Sequence, residues 1–234
     1  MREKPIPFNA EMVLAVLAGR KTQTRRIVTV PWGKRSKTVP YSPYFEEEDG
    51  RLFFQDEYGD HHDFEKKWKC PYGNIGDHLW VREPWCVYPK HDHLKPSEIP
   101  HPEGIGDIDN FRNLDICYLS TPINGYNMGR YRSPRFMPHW ASRITLEIKN
   151  IRVERVQDIS AQDCMREGIR EVTKDGISKK YCIYDSGDYS STPWQNMPRT
   201  AKGAFKNLWN SINEKRGLGW DKNPWVWVVE FETI

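Results

Sequence analysis

The sequence predicts an α+β fold in which a small, mostly antiparallel β-barrel is covered by a few helices and interrupted by long loops. Segments with strand patterns are not joined by regular crossover helices, which argues against a doubly wound sheet. Long stretches rich in Pro and Gly separate these segments and lack periodicity. Although only 38% of the residues are hydrophobic, 10 Trp, 11 Tyr and 9 Phe can fill a core.

The chain of 234 residues is long enough for one large domain or two small ones. We expect a single domain over residues 1–234, with insertions at approximately 31–75, 89–135 and 174–198. The first insertion contains a hairpin pattern, in which Tyr44-Phe45 and Leu52 to Phe54 flank a turn at Asp49-Gly50. The other two insertions are predicted to be largely irregular.

The first helix is predicted from its cap and its apolar spacing. Asn9 can cap it, Glu11 lies in its first turn, and Gly19 suits a left-handed end. Its apolar positions follow one buried stripe, at Met12, Val13, Val16 and Leu17. Residues 21–26 should therefore lie just beyond the helix, on an exposed turn or at the start of a strand.

The remaining elements follow from alternation and capping patterns. Ser160 can begin a short helix that ends at Gly168, with Asp163 at the capping-box position. The strand and helix patterns cover 77–88 (strand), 142–156 (a strand pair or one long bent strand), 201–214 (helix) and 225–231 (closing strand).

Composition excludes several classes of protein. A net charge of +3 excludes a histone-like electrostatic binder, although clustered basic residues can still bind phosphate. No apolar run approaches the roughly 20 residues of a membrane span, and the N-terminus lacks the pattern of a signal peptide. We therefore expect a cytoplasmic protein without membrane contact.

Familiar cofactor and metal motifs are absent from the sequence. There is no P-loop, GxGxxG, HExxH or GxSxG pattern, and the five cysteines form no CxxC pair. Histidines occur in loop segments of mixed charge, where solvated side chains are the ordinary interpretation; they are His61, His62, His91, His93 and His101. We expect no metal and no cofactor.

A concentration of reactive and basic side chains follows the first helix, at Lys21, Thr24, Arg25 and Arg26. A desolvated lysine amine can serve as a general base, and a threonine hydroxyl needs such a base to act as a nucleophile. The two arginines can hold a phosphate or the edge of a planar base. Spacing alone also fits an exposed basic turn with no function.

The stretch from Leu17 to Arg26 resembles the signature of ASCH domains, which have a PUA-like barrel fold. Three further segments are similar to that family, at Gly76 to Leu79, Val156 to Gly168 and Val226 to Phe231. The segments Met137 to Ile144 and Asn223 to Trp227 resemble those of the larger phage and prophage members of the family. The resemblance implies a PUA-like fold and a bacterial or phage-infected host cell.

The resemblance implies two activities. One branch of the family hydrolyses the amide of N4-acylated cytidine, and carried over here its Lys, Thr and Glu would be Lys21, Thr24 and Glu167. Another branch is linked to RNA binding or cleavage. The expected partner is thus RNA or a modified nucleoside or nucleotide. Glu167 could equally be a surface acid at the end of a helix, without a catalytic role.

A second group of residues is predicted to line the same cleft and bind substrate: Arg82, Glu83, Trp140, Ser142 and Arg143, together with Arg25 and Arg26. Glu83 could contact a base edge or serve as the acid, or it could form a structural ion pair with Arg25, Arg26 or Arg143. Trp140 could stack on a base or pack in the core. Both alternatives stay open for each residue.

Overall fold

The structure is a computed structural model that describes residues 1–28, 69–99, 116–121, 128–183 and 193–234, with the backbone of 53–55 and 61–63. Its strands are β1 (Glu3–Pro7), β2 (Gln23–Ile27), β3 (Phe53–Gln55), β4 (His61–Asp63), β5 (His78–Arg82), β6 (Trp85–Val87), β7 (Ile116–Tyr118), β8 (Thr145–Arg155), β9 (Arg170–Thr173), β10 (Lys179–Cys182) and β11 (Trp225–Thr233). Its α-helices are α1 (Ala10–Leu17), α2 (Ala161–Arg166) and α3 (Ala201–Asn213). None of the described helices is long and apolar enough to cross a bilayer.

The main sheet has five strands in the order β1-β5-β8-β11-β2. Its pairs are antiparallel except for β1 with β5, which run parallel. The predicted α+β class and the mostly antiparallel pairing are therefore confirmed. Among the described strands no ladder joins β1 to β2, so the backbone hydrogen bonds form an open sheet rather than a closed barrel.

The two edges of this sheet nevertheless approach each other through side chains. Nη2 of Arg26, on β2, donates a 2.6 Å hydrogen bond to the carbonyl of Pro7, on β1. The ring of Phe8 lies beneath Arg26 and Lys21, at 5.4 and 5.6 Å from its centroid to the cationic groups. The sheet is thus curved enough for one side chain to span the gap between its edge strands.

The main core packs α1 and α3 against this sheet through apolar side chains such as Val13, Phe205 and Val228. Leu208 and Trp209 of α3 are buried as its spacing predicts, whereas Ile212 is 43% exposed. A smaller core surrounds Trp85, where the short β6–β7 pair lies. That strand pair falls partly within the predicted 89–135 insertion.

Local capping signals are confirmed where they could be read from adjacent residues. Oδ1 of Asn9 accepts the backbone N–H of Met12 at 2.9 Å, and Gly19 adopts φ +67°. Oγ of Ser160 likewise accepts the N–H of Asp163 at 3.0 Å. Each contact satisfies a backbone group that the first turn of a helix leaves unpaired.

Several predicted strands differ from those observed. The 77–88 segment is divided at Pro84, because proline has no N–H for a ladder and β6 turns away to pair with β7. Within 142–156 a single long strand forms, β8, with a register shift opposite Glu230 and Phe231. No strand was predicted at β1, whose two prolines occupy a sheet edge that tolerates missing donors.

The insertions contain more regular structure than expected. Residues 174–198 include β10, which pairs with β9 across a turn where Asp175 accepts the N–H groups of Ile177 and Ser178. In the first insertion β3 pairs with β4, a strand that was not predicted. Tyr44-Phe45 and the Asp49-Gly50 turn lie outside the described residues.

Candidate functional site

The basic segment after α1 enters β2 directly and is buried. Lys21, Thr24 and Arg25 are 2%, 3% and 5% exposed, so the expectation of an exposed turn is wrong and that of a strand start is confirmed. Burial results from pairing with β11 on one side and from the end of α2, whose Arg166 carbonyl accepts the N–H of Thr22 at 2.9 Å.

Lys21 forms a buried ion pair with Glu167, at the end of α2. Its Nζ donates to Oε2 at 2.7 Å and to the backbone carbonyl of the same residue at 2.9 Å. The next residue, Gly168, has φ +100°, and a Cβ there would lie 3.0 Å from the Cβ of Ala15. A glycine is therefore needed to bring both acceptors of Glu167 onto the amine.

The environment of Lys21 favours a neutral amine more than water does. Burial lowers the pKa of Lys21 below 10.5, and the attraction and hydrogen bond of Glu167 oppose that shift only in part. The nearby charges of Arg25 and Arg26 add to the lowering. A lysine in this state can lose a proton more readily than an exposed one.

Arg25 is held in a network of carboxylates. It donates to Oε1 of Glu167 at 3.1 Å through Nη1, to Oε1 of Glu154 at 3.0 Å through Nε, and to Oδ2 of Asp163 at 3.3 Å through Nη2. Burial disfavours its charge, but Glu167 and Glu154 outweigh this and raise the pKa of Arg25 further above its ordinary value. Arg25 is therefore permanently charged.

Arg152 of β8 extends the same network. It donates to Oε2 of Glu154 and to Oδ2 of Asp163, both at 3.1 Å, and to Glu230. A fourth cation, Arg166, lies 3.7 Å from Asp163, so the network sets four carboxylates against four cations: Lys21, Arg25, Arg152 and Arg166. No uncompensated positive charge is left in it for a ligand.

A cavity of about 200 Å³ opens beside this network. Thr24 and Glu167 both line it, whereas Lys21 lies behind Glu167 and is fully buried. Its other walls come from Met12, Arg25, Arg26, Ile27, Pro71, Tyr72, Phe205, Leu208, Trp209, Ile212, Asn213 and Arg216. A threonine, a glutamate and aromatic residues thus line one small space.

Arg26 also lines this cavity and is half-buried. Apart from its contacts with Pro7 and Phe8, its Nε is buried without a hydrogen-bond partner in the described part of the chain. Burial lowers the pKa of Arg26 from its ordinary value, although Tyr72 and Glu167 partly oppose this. The structure therefore separates the two adjacent arginines, since only Arg25 is surrounded by acids.

The second predicted group lies elsewhere, around the smaller core. Nε and Nη2 of Arg143 donate to the two oxygens of Glu83 at 2.8 and 3.0 Å. Glu83 is 1% exposed and also accepts the hydroxyl of Ser120. The guanidinium of Arg143 lies 4.0 Å from the centroid of the Tyr118 ring. The structural ion pair considered for Glu83 is formed.

The other members of that group also make internal contacts. Oγ of Ser142 donates to the carbonyl of Val81 at 2.9 Å. Trp140 packs edge-on against Trp85, with centroids 6.4 Å apart. Arg82 lies over the Trp80 ring at 4.5 Å. None of these side chains lines the cavity beside Thr24.

Sequence reasoning missed several residues of the site. Arg152 and Glu154 share one face of β8 at a spacing of two, a signal that could have suggested a charged face. Tyr72 and Arg216 carry no local signal, because they reach the cavity only through the tertiary fold. In the described part of the chain, no cluster of His, Cys, Asp or Glu is placed to hold a metal ion.

Comparison with known proteins gives a weak structural likeness. No family model matches the chain, and neither does any curated protein sequence. A high-resolution crystal structure of the ASCH domain from Lactobacillus crispatus JV V101 is similar at 12% identity, over 99% of this chain and 79% of that one, with a TM-score of 0.35. So low a TM-score carries no functional argument, and the function must be inferred from the residues of this chain.

Proposed function

We propose that the cavity is the active site of a hydrolase that cleaves the amide of an N4-acylated cytidine or a related modified nucleoside. The observation that carries the proposal is the buried Lys21–Glu167 pair behind a cavity whose wall includes Thr24. A hydroxyl nucleophile, a desolvated amine and a carboxylate are the groups that acyl transfer to threonine needs.

In this mechanism Thr24 is the nucleophile. Its oxygen attacks the acyl carbon while its proton passes through the carboxylate of Glu167, which lines the cavity, to the amine of Lys21. The proton returns along the same path to the N4 nitrogen, which leaves with it as cytidine is released. Water then cleaves the threonine ester, releasing a carboxylic acid and restoring the hydroxyl. Glu167 positions Lys21 through two contacts, at 2.7 and 2.9 Å.

The shape and lining of the cavity fit a nucleoside. Tyr72, Phe205 and Trp209 offer aromatic surface against which a flat base can pack. A volume of about 200 Å³ is small for a ligand site. It suits one base rather than several stacked nucleotides.

The test is hydrolysis of N4-acetylcytidine by the wild type, Thr24→Val and Thr24→Ser. Valine keeps the branched shape on β2 and removes the nucleophile, so release of cytidine should stop. Serine keeps the hydroxyl and should retain turnover. Both variants should melt near the wild-type temperature, which would separate loss of chemistry from loss of fold. Equal turnover by Thr24→Val would overturn the mechanism.

A second candidate is a module that binds RNA or a modified nucleotide without converting it. The observation that favours it is that Lys21 and Arg25 each donate to one carboxylate oxygen of Glu167, so that both oxygens already have a partner. In that case the wild type binds N4-acetylcytidine without releasing cytidine. Thr24→Val then binds as tightly as the wild type, and Arg26→Gln binds more weakly.

A further inference from the structure

Two arginines at the cavity carry charge that no described carboxylate neutralises. Arg26 contacts a backbone carbonyl and a phenyl ring, and Nη1 of Arg216 donates to the amide oxygen of Asn213 at 3.3 Å. Neither forms an ion pair with an acid in the described part of the chain, in contrast to Arg25. The charge of this wall is therefore available to an anion.

Tyr72 lies close to both arginines. Burial raises the pKa of the Tyr72 hydroxyl, while the charges of Arg26 and Arg216 act on it in the opposite direction. The net shift is upward, so the hydroxyl stays protonated and can donate a hydrogen bond. All three side chains line the same cavity, which brings two guanidinium groups and one phenol to it.

One donor of Arg26 is left unpaired by the protein. Its Nε is buried without an acceptor in the described residues, although buried donors are normally paired. The protein therefore uses only part of the hydrogen-bonding capacity of this guanidinium. A phosphate suits this wall, because guanidinium groups match its oxygens in pairs and a nucleotide carries a phosphate on its sugar.

We propose that Arg26, Arg216 and Tyr72 bind a phosphate, so that the ligand of the cavity is a cytidine nucleotide rather than an uncharged nucleoside. This inference rests on the proposed function for the identity of the base. The phosphate itself belongs either to a free 5′-monophosphate or to a phosphodiester of RNA.

Calorimetric titration with cytidine, cytidine 5′-monophosphate and inorganic phosphate tests the inference. At low salt we expect the monophosphate to bind about tenfold more tightly than cytidine, and added salt should reduce this difference. Arg216→Gln should remove most of this difference between the two ligands. Arg216 is exposed, so its replacement should leave the fold intact.

Arg199→Gln is the matched control. It makes the same change of charge at an exposed position that does not line the cavity, and it should leave the difference intact. Equal affinities for cytidine and its monophosphate, or no binding of either the monophosphate or inorganic phosphate, would overturn the inference. A short single-stranded RNA that binds more tightly than the monophosphate would identify the phosphodiester as the source.

The outcomes also separate this inference from the proposed hydrolysis. Phosphate binding that depends on Arg216, with no turnover of N4-acetylcytidine or its 5′-monophosphate, would refute the hydrolase and keep the anion site. Turnover of both substrates with the same KM would keep the hydrolase and refute the anion site.

Discussion

Arg26 connects the two edge strands of the sheet by donating a 2.6 Å hydrogen bond from Nη2 to the carbonyl of Pro7. The same side chain covers the ring of Phe8 and lines the cavity. One residue therefore supports the curvature of the sheet and contributes to the candidate binding wall. Its structural and ligand-binding contributions can be separated by comparing stability with affinity.

Arg26→Met should lower the free energy of unfolding by about 1 to 2 kcal/mol, because the charged hydrogen bond is lost while methionine still packs on Phe8. Urea denaturation measures the change. Arg26→Lys keeps the charge and one donor and should cost less. If both variants unfold at the wild-type urea concentration, the link between the edge strands contributes nothing to stability.

Glu167→Gln should destabilise the fold by about 3 kcal/mol, since it removes the carboxylate shared by two buried cations. The measurement is again chemical denaturation. Glu171→Gln is the control, because the Glu171–Lys179 pair is exposed and such pairs contribute little. Similar losses for the two variants would contradict the importance of burial.

The pH dependence follows from Lys21. Its folded pKa is lowered, so near and below 10.5 the unfolded chain binds more protons than the native state. The free energy of unfolding should therefore rise with pH across that alkaline window. Turnover of N4-acetylcytidine should rise over the same range as the amine loses its proton. Lys21→Met should abolish this component of the stability profile.

Glu83→Gln should destabilise the smaller core by about 3 kcal/mol, because the variant leaves Arg143 without its charged partner. Its affinity for cytidine should equal that of the wild type, since neither residue lines the cavity. Unfolding and calorimetry on the same sample check both statements. A loss of affinity for cytidine at unchanged stability would instead indicate that this ion pair contributes to the binding site.

Cys86 should react slowly with iodoacetamide. Burial and the neighbouring Cys117 raise the pKa of its thiol to about 11, and the side chain is fully buried. At about pH 8 very little thiolate is then present. Mass spectrometry after timed labelling should show half-buried Cys182 modified first. Equal rates would indicate that the β6–β7 pair opens readily.

The elements that the sequence predicted well are those determined by neighbouring residues. The caps at Asn9 and Ser160 form because their acceptors and donors lie three positions apart. The left-handed glycine at Gly19 is similarly local. Such contacts need no knowledge of the tertiary fold, and helix ends could therefore be placed within a residue or two.

The candidate site was only partly predictable for the opposite reason. Lys21 and Thr24 are marked by spacing and resemblance, but the burial of Arg25 depends on Glu154, which lies on a different strand. Arg216 reaches the cavity only after α3 packs on the sheet. A sequence pattern identifies which charged residues are present. Which of them neutralise each other depends on contacts between segments that are distant in the sequence.

The position of β2 in the sheet has a consequence for the order of folding. Among the described strands β2 pairs only with β11, and Thr24 lies opposite Val229, roughly 200 residues later in the sequence. At about 5 to 20 residues per second, a ribosome needs roughly 10 to 40 seconds to synthesise the intervening chain. Until then β2 cannot join the sheet, and its two arginine side chains keep the unpaired segment hydrated. The chemistry of the cavity is thus assembled late, from a strand that is made early.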